Sequence, residues 1–265
     1  MKIDSLVRPK GILLDVDGTL TNRQKEVSER TARGIAGVVK KGLKIGVATG
    51  RSYASIVNYI LPFFPKRSLH IVAGGGQIVR ADGKIIWEKA IPHGQVVNLC
   101  QEVEASGATY AFGQGPILYR SEEALKKIYK HPWGTKTKST KGLKDWSTPL
   151  VSVSNINEKV RHFLSQQRDL SVREIETDYL PPYFDITAKS VNKGATARIW
   201  AKKQGISLKE TLAVGDSIND LELMRVVGLS AAMEQSPGKV KAASDITIGD
   251  TDKDGLAEFL EKLLT

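Results

Sequence analysis

Short apolar runs alternate with helical patterns at both ends of this chain and stop alternating in its middle. That interrupted rhythm restricts the fold more than any other feature. Ile12–Val16, Leu43–Ala48 and Leu69–Ala73 read as strands. Between them Ser28 heads a helical pattern with Ile35, Val38 and Val39 on its apolar face and Gly42 as its stop. Ser52 heads a second helix, Tyr53 to Leu61, ended by Pro62 and Pro65. Strands separated by helices indicate βαβ units and a parallel sheet. The pattern resumes with a helix over Lys193–Lys203, a strand over Thr211–Val214 and a helix over Leu221–Val227. Strands over Leu229–Ala232 and Asp245–Ile248 follow, then a last helix over Gly255–Leu264.

The interruption begins where Gln77–Ala81 and Lys84–Glu88 flank Asp82-Gly83, a strong hairpin signal. Helices are predicted near Val96–Ala105, Ser121–Lys130 and Asn157–Gln167. Strands are predicted at Ala108–Phe112, Leu150–Ser154 and Phe184–Thr187. This mixture suits an antiparallel sheet with helices on one side. The chain therefore divides into an α/β core, residues 1–82 and 188–265, and an inserted α+β unit, residues 83–187. An insert of about 100 residues is an ordinary domain size.

With 41% hydrophobic and 26% charged residues among 265, the composition is that of a globular chain with a real core. No apolar run approaches the roughly 20 residues that span a bilayer, and the first ten residues lack a secretory apolar segment. Cys100 is the single cysteine, so no intramolecular disulfide forms. A reducing cytoplasm is the expected compartment, with Cys100 as a buried apolar side chain. Lys and Arg outnumber acids 39 to 29, a net +10. Without a nucleic-acid module, that excess reads as a solvated basic surface attractive to anionic metabolites rather than to nucleic acid. The dense run Lys136–Lys144 reads as an exposed loop.

Active sites of open α/β sheets lie at the carboxyl ends of the strands. Four polar stretches fall there: Asp15-Val16-Asp17-Gly18, Thr49-Gly50-Arg51, Gly74-Gly75-Gly76 and Gly215-Asp216-Ser217-Ile218-Asn219-Asp220. Carboxylates gathered at one edge repel by about 4 kcal/mol per pair at 4 Å and an effective dielectric of 20. A cation must sit among them, and hard oxygen ligands suit Mg²⁺. Residues one apart on a strand share a face, which places Asp15 with Asp17. A phosphate needs donors too, and Thr49, Gly50 and Arg51 or Lys193 offer a hydroxyl, an open N–H and positive charge. The helix starting near Ser52 is expected to aim its N-terminus at the anion.

Asp15-Val16-Asp17-Gly18-Thr19-Leu20 resembles motif I of the haloacid dehalogenase-like (HAD) phosphatases. Ala48-Thr49-Gly50-Arg51 resembles motif II, Asn192-Lys193-Gly194 motif III and Gly215–Asp220 motif IV. An insert between motifs II and III is similar to the cap of subfamily IIB, the Cof-type, sucrose-phosphatase-like and phosphoglycolate-phosphatase-like group. Val240–Asp245 and Asp254-Gly255-Leu256 are similar to its closing segment. The resemblance implies a Rossmann-like three-layer core under a C2B-type cap. It implies a phosphoric monoester hydrolase acting on a small phosphorylated metabolite, such as a sugar phosphate or phosphoglycolate. By the same resemblance Asp15 is the nucleophile and Asp17 the general acid and base. Mg²⁺ is held by the Asp15 side chain, the Asp17 carbonyl and Asp216, with Asp220 as ligand or support. Thr49 and Lys193 hold the phosphoryl oxygens beside Gly50, and Arg51 and Asn219 lie near the substrate. The implied state is a monomer or homodimer. A phosphomannomutase-like phosphotransferase and a non-enzymatic basic binding protein are the alternatives.

This chain departs from the group in two places. Gly74-Gly75-Gly76 stands where many relatives carry Asn-Gly, and Met233-Glu234-Gln235-Ser236 where they carry Gly-Asn-Ala. Asp250-Thr251-Asp252-Lys253-Asp254-Gly255 with Glu261 satisfies an EF-hand pattern, but the residues before it read as a strand where a calcium loop needs a helix. Gly74–Gly76 opens a hairpin and lacks the third glycine of a dinucleotide loop. His70, His93, His131 and His162 lack zinc-ligand spacing. Trp87, Trp133, Trp146, Tyr179 and Tyr183 are expected mainly to pack the insert. Arg120, Arg173 and the Lys136–Lys144 run are candidates for a second acidic group on the substrate, or plain surface charge.

Overall fold

The computed structural model describes residues 9–126, 134–176 and 181–264. His131, Trp133, Tyr179 and the far end of the helix predicted to Lys130 lie outside the described residues. The first elements are β1 (Gly11–Leu14), α1 (Glu29–Lys40), β2 (Lys44–Val47), α2 (Tyr53–Ile56), β3 (Leu69–Val72), β4 (Gln77–Arg80) and β5 (Ile85–Glu88). The middle holds α3 (His93–Ala105), β6 (Thr109–Gln114), β7 (Ile117–Arg120), α4 (Glu122–Lys126), β8 (Lys136–Ser139), β9 (Val151–Ser154), α5 (Glu158–Ser165), β10 (Leu170–Ile175) and β11 (Tyr183–Ala188). The chain closes with α6 (Lys193–Gln204), β12 (Thr211–Gly215), α7 (Leu221–Met224), β13 (Leu229–Met233), α8 (Gly238–Ala243), β14 (Ile246–Ile248) and α9 (Gly255–Leu264).

The core sheet is parallel in the order β14-β13-β12-β1-β2. Alternation along β1 builds its three layers. Ile12 and Leu14 pack with Ile35, Val38, Phe259 and Leu260 from α1 and α9, while Leu13 turns to Ala197, Trp200 and Leu223 from α6 and α7. Ser28 caps α1 by accepting from the Thr31 amide, and Asn192 caps α6 by accepting from the Ala195 amide at 2.6 Å. The α6 cap delivers Lys193 at the first helical position, facing the carboxyl end of the sheet.

Two predicted elements come out differently. The helix headed by Ser52 ends at Ile56, and the Ser52 hydroxyl pairs with the Ser55 hydroxyl at 3.1 Å instead of making a side-chain cap. Four residues make too short a helix to supply the anion-binding dipole expected of it. β3 joins a separate three-stranded sheet, β3-β4-β5, and its bridge toward the core sheet pairs Ile71 with Ala48, one residue past the end of β2. Side chains take its ladder positions: Val47 N–H donates to His70 Nδ1 at 3.2 Å, and Trp200 Nε1 donates to Leu69 O at 2.8 Å. Burial drives the His70 pKa down to about 3, so the ring is neutral and structural.

The inserted sheet runs β10-β11-β9-β6-β7-β8, antiparallel except for the β7–β8 pair. Val151, Val153, Phe184 and Ile186 pack on one side with Val96, Leu99 and Val103 of α3 and Val160 and Leu164 of α5. The other face turns toward the core. Part of the basic run predicted as a loop is the edge strand β8, and Trp146 packs on Tyr110 and Phe112. The division predicted between residues 82 and 83 passes through the β4–β5 turn, and β5 pairs with β4. Among the described residues no helix is long and apolar enough to cross a membrane.

Candidate active site

Asp15 lies just past the end of β1, 4% exposed, with its amide bonded to Val214 O at 2.8 Å. Lys193, 1% exposed, donates from Nζ to Asp15 Oδ1 at 2.6 Å, Asp220 Oδ1 at 2.7 Å and Asn219 Oδ1 at 2.8 Å. All three donor positions of the ammonium are therefore spent on side chains from motifs I and IV. Burial works against its charge, but Asp15 and Asp220 outweigh burial and hold the Lys193 pKa above the ordinary lysine range.

The second oxygen of Asp220 accepts from the Asp216 amide at 3.2 Å and from the Ser217 amide at 3.1 Å. Asp220 thus shapes the loop that carries Asp216 and anchors Lys193 at once. Ser217 Oγ reaches Asn219 Oδ1 at 3.0 Å, and Thr19 Oγ1 donates to Asp216 Oδ1 at 3.3 Å. Gly18 sits opposite with φ +77°, and a Cβ there would lie 2.3 Å from Asp216 Oδ2. Only glycine meets both the backbone angle and that close approach.

Asp15, Asp216 and Asp220 each place a carboxylate oxygen within 4.8 Å of the other two. Burial first, then repulsion from Asp220, pushes the Asp15 pKa up despite Lys193; burial first, then Asp15 and Asp220, does the same to Asp216. Three acids face one ammonium, an imbalance that a divalent cation with hard-oxygen preference would remove. The donor set fits such an ion.

Asp17 belongs to a different group. Its carboxylate accepts from Arg51 Nε at 2.5 Å and Nη2 at 2.7 Å, a bidentate pair, and from Lys25 Nζ at 3.1 Å. Burial raises its pKa, but Arg51 and then Lys25 overcome burial and hold it at about 2. Arg51, expected near the substrate, is engaged with Asp17. Lys25 was not foreseen, since a lone lysine in the loop after motif I carries no pattern of its own. Thr49, 1% exposed, accepts the Arg51 amide on its hydroxyl at 3.1 Å. Gly50 lines a cleft shared by Lys193 and Asn219 with Arg173 and Asp185 of the insert. The EF-hand acids are otherwise occupied: Asp252 holds Arg23 and Glu261 pairs with Arg30.

A sequence model of the haloacid dehalogenase-like hydrolases matches residues 12–260. The chain belongs to that family. A phosphoglycolate phosphatase of Methanothermobacter thermautotrophicus is 23% identical over 255 residues, covering 96% of this chain and 99% of the relative. The 5-amino-6-(5-phospho-D-ribitylamino)uracil phosphatase YcsE of Bacillus subtilis is 23% identical over 251 residues, covering 95% and 94%. Among solved structures, a HAD-like hydrolase from Bacteroides thetaiotaomicron superposes with TM-score 0.83 at 21% identity, covering 96% of this chain and 99% of that one. A HAD subclass IIB sugar phosphatase superposes with TM-score 0.76 at 24% identity, covering 95% and 98%. The shared fold spans core and insert together, so the HAD resemblance drawn from the four motifs stands, as does the three-layer core with an α+β insert.

Proposed function

We propose that this HAD-family chain is an Mg²⁺-dependent phosphatase of small phosphorylated metabolites, working through an aspartyl-phosphate. The carrying observation is the single ammonium of Lys193 bonded at once to Asp15, Asn219 and Asp220. That arrangement supports a fixed, charge-compensated carboxylate nucleophile at the mouth of a cleft. The phosphatases among its relatives point the same way.

Asp15 attacks phosphorus, and the bond to the leaving oxygen breaks as Asp17 gives that oxygen a proton. Asp17 then takes a proton from water, the water oxygen attacks phosphorus, and inorganic phosphate leaves with Asp15 regenerated. Lys193, its donor positions held by Asp15, Asn219 and Asp220, neutralises the phosphoryl charge, while Thr49 and the Gly50 amide orient the phosphoryl oxygens. Asp15, Asp216 and the Asp17 carbonyl would hold the divalent ion, with Asp220 supporting from behind. When bound, that ion supplies neutralisation of the phosphoryl charge facing an anionic nucleophile. The inserted unit serves as a cap that limits water and selects the leaving group. With both oxygens of Asp17 tied to Arg51 and Lys25, proton donation requires Arg51 to let go when substrate enters.

The direct test is phosphate release from a panel of phosphate monoesters with and without Mg²⁺. The wild type should turn over at least one ester only with the metal, and Asp15→Asn should lower kcat by about 10³-fold or more. Metal-independent turnover, or near-normal turnover by Asp15→Asn, would overturn the reading.

A further inference from the structure

The face of the inserted sheet that looks into the cleft carries a row of polar side chains in direct register. Arg173 on β10 pairs with Asp185 on β11, and Asp185 pairs with Ser152 on β9. Period-two alternation sends Phe184 and Ile186 into the insert's own core, so Asp185 and Thr187 turn the other way, toward the catalytic end. Asp185 reaches so far that a Cβ placed on Gly50 would meet its Oδ2 at 3.7 Å. The chain therefore sets a carboxylate directly against the motif II backbone that flanks the phosphoryl position. Lys193 and Asn219 line the same cleft.

Asp185 is held rather than loose: Ser152 Oγ donates to its Oδ1 at 2.6 Å, leaving Oδ2 to face the cleft. Arg173 is spoken for as well, since its Nη2 donates to Glu222 Oε2 at 2.9 Å across the gap between insert and core. On the insert side Asp185 and Arg173 balance in charge, and with Arg173 drawn to Glu222 of the core, Asp185 Oδ2 is the acceptor left facing the cleft. Burial pushes the Asp185 pKa up to about 6 against the pull of Ser152 and Arg173.

An acceptor of that charge rewards a leaving group that brings hydroxyl donors and penalises one that brings a second anion. We infer that Asp185, positioned by Ser152 and flanked by the Arg173–Glu222 pair, selects the leaving group, favouring hydroxyl-rich monoesters over esters with a carboxylate next to the phosphate. This rests on the phosphatase reading above and separates the two substrate types that the motifs leave open. A sugar or polyol phosphate presents O–H groups to Asp185 Oδ2, whereas 2-phosphoglycolate presents a carboxylate to a carboxylate. Asp185 and Ser152 act here as specificity-determining residues, apart from the bonds made and broken at phosphorus.

The test compares kcat/KM for a hexose 6-phosphate, 2-phosphoglycolate and p-nitrophenyl phosphate, the last lacking both hydroxyls and a second carboxylate. The wild type should prefer the hexose phosphate to phosphoglycolate by about tenfold or more. Asp185→Asn keeps an acceptor and removes the charge, so it should narrow that ratio by about tenfold, with p-nitrophenyl phosphate turnover reporting any change at the phosphoryl position itself. Ser152→Ala, which frees the carboxylate from its hydroxyl partner, should narrow the ratio less. A wild-type preference for phosphoglycolate would overturn the inference, as would a ratio unmoved in both variants. If the wild type hydrolyses none of the three but releases phosphate from another ester with Mg²⁺, this inference falls and the phosphatase reading stands; release from no ester at all sinks both.

Discussion

Arg51 and Lys25 hold the Asp17 carboxylate ionised, with its pKa at about 2 although burial alone would raise it. A carboxylate so held is ready to accept a proton from water and poorly set to give one to a leaving alcohol. Removing Arg51 takes away the largest opposing influence, so in Arg51→Gln the Asp17 pKa should rise. A base works only when ionised, and activity limited by it disappears as pH falls through its pKa. The acid limb of the pH–kcat profile should therefore move to higher pH in Arg51→Gln, and an unmoved limb would separate Asp17 from the rate-limiting proton transfer. Stability follows the same sign: the Asp17 contribution is present above its unfolded value and lost as pH falls toward 2. Arg51 was legible in sequence as a motif member but not as the partner of Asp17. Its 34-residue separation from Asp17 is closed only by the parallel sheet.

Elements decide how accurately the side chains meet. Gly194 follows Lys193 at the start of α6, and a Cβ there would lie 2.2 Å from the Glu222 carbonyl oxygen of α7. That oxygen is backbone, so α6 and α7 would have to separate, carrying Lys193 away from Asp220. Gly194→Ala should lower stability by about 1–3 kcal/mol in a denaturant titration and cut kcat more than it raises KM. An unchanged kcat would mean the contact is slack. Much of the element pattern was readable because strand-end motifs sit where apolar runs stop, as at Leu14 before Asp15 and Gly215 before Asp216. What was unreadable depended on partners distant in sequence. The Ser52 hydroxyl goes to Ser55 rather than to a cap of α2, and His70 and Trp200 supply side-chain partners beside β3, contacts that the local pattern does not announce. β8 is a lysine-rich edge strand whose only strand neighbour among the described residues is β7, and its composition hid it.

At the scale of the whole molecule, motifs from both ends of the chain bring three acids and one lysine into the dry end of the sheet. Asp15 and Asp216 have raised pKa values, so the folded state binds their protons more tightly than the unfolded chain does. The stability they contribute is complete below the unfolded value of 3.8 and is lost as pH rises through their folded values. A divalent cation replaces those protons. Millimolar MgCl₂ should therefore raise Tm more at about pH 8 than at about pH 5, with a gain of roughly 2–3 kcal/mol when the ion stands about 100-fold above its Kd. A Tm indifferent to Mg²⁺ at both pH values would count against a cation site among the three carboxylates. The family was legible from four short motifs. Of the leaving-group wall only Arg173 stood out in the sequence, as a candidate for a second acidic group, because Ser152 and Asp185 become its neighbours only through β9, β10 and β11.

The covalent role of Asp15 is tested most directly by the stereochemical course at phosphorus, using a phosphorothioate ester made chiral by sulfur and oxygen isotopes and hydrolysed in water carrying the third isotope, so that the thiophosphate released is itself chiral. Two in-line displacements, the first by Asp15 and the second by water, predict overall retention of configuration. Inversion would mean that water attacks the ester directly and that Asp15 is not the nucleophile.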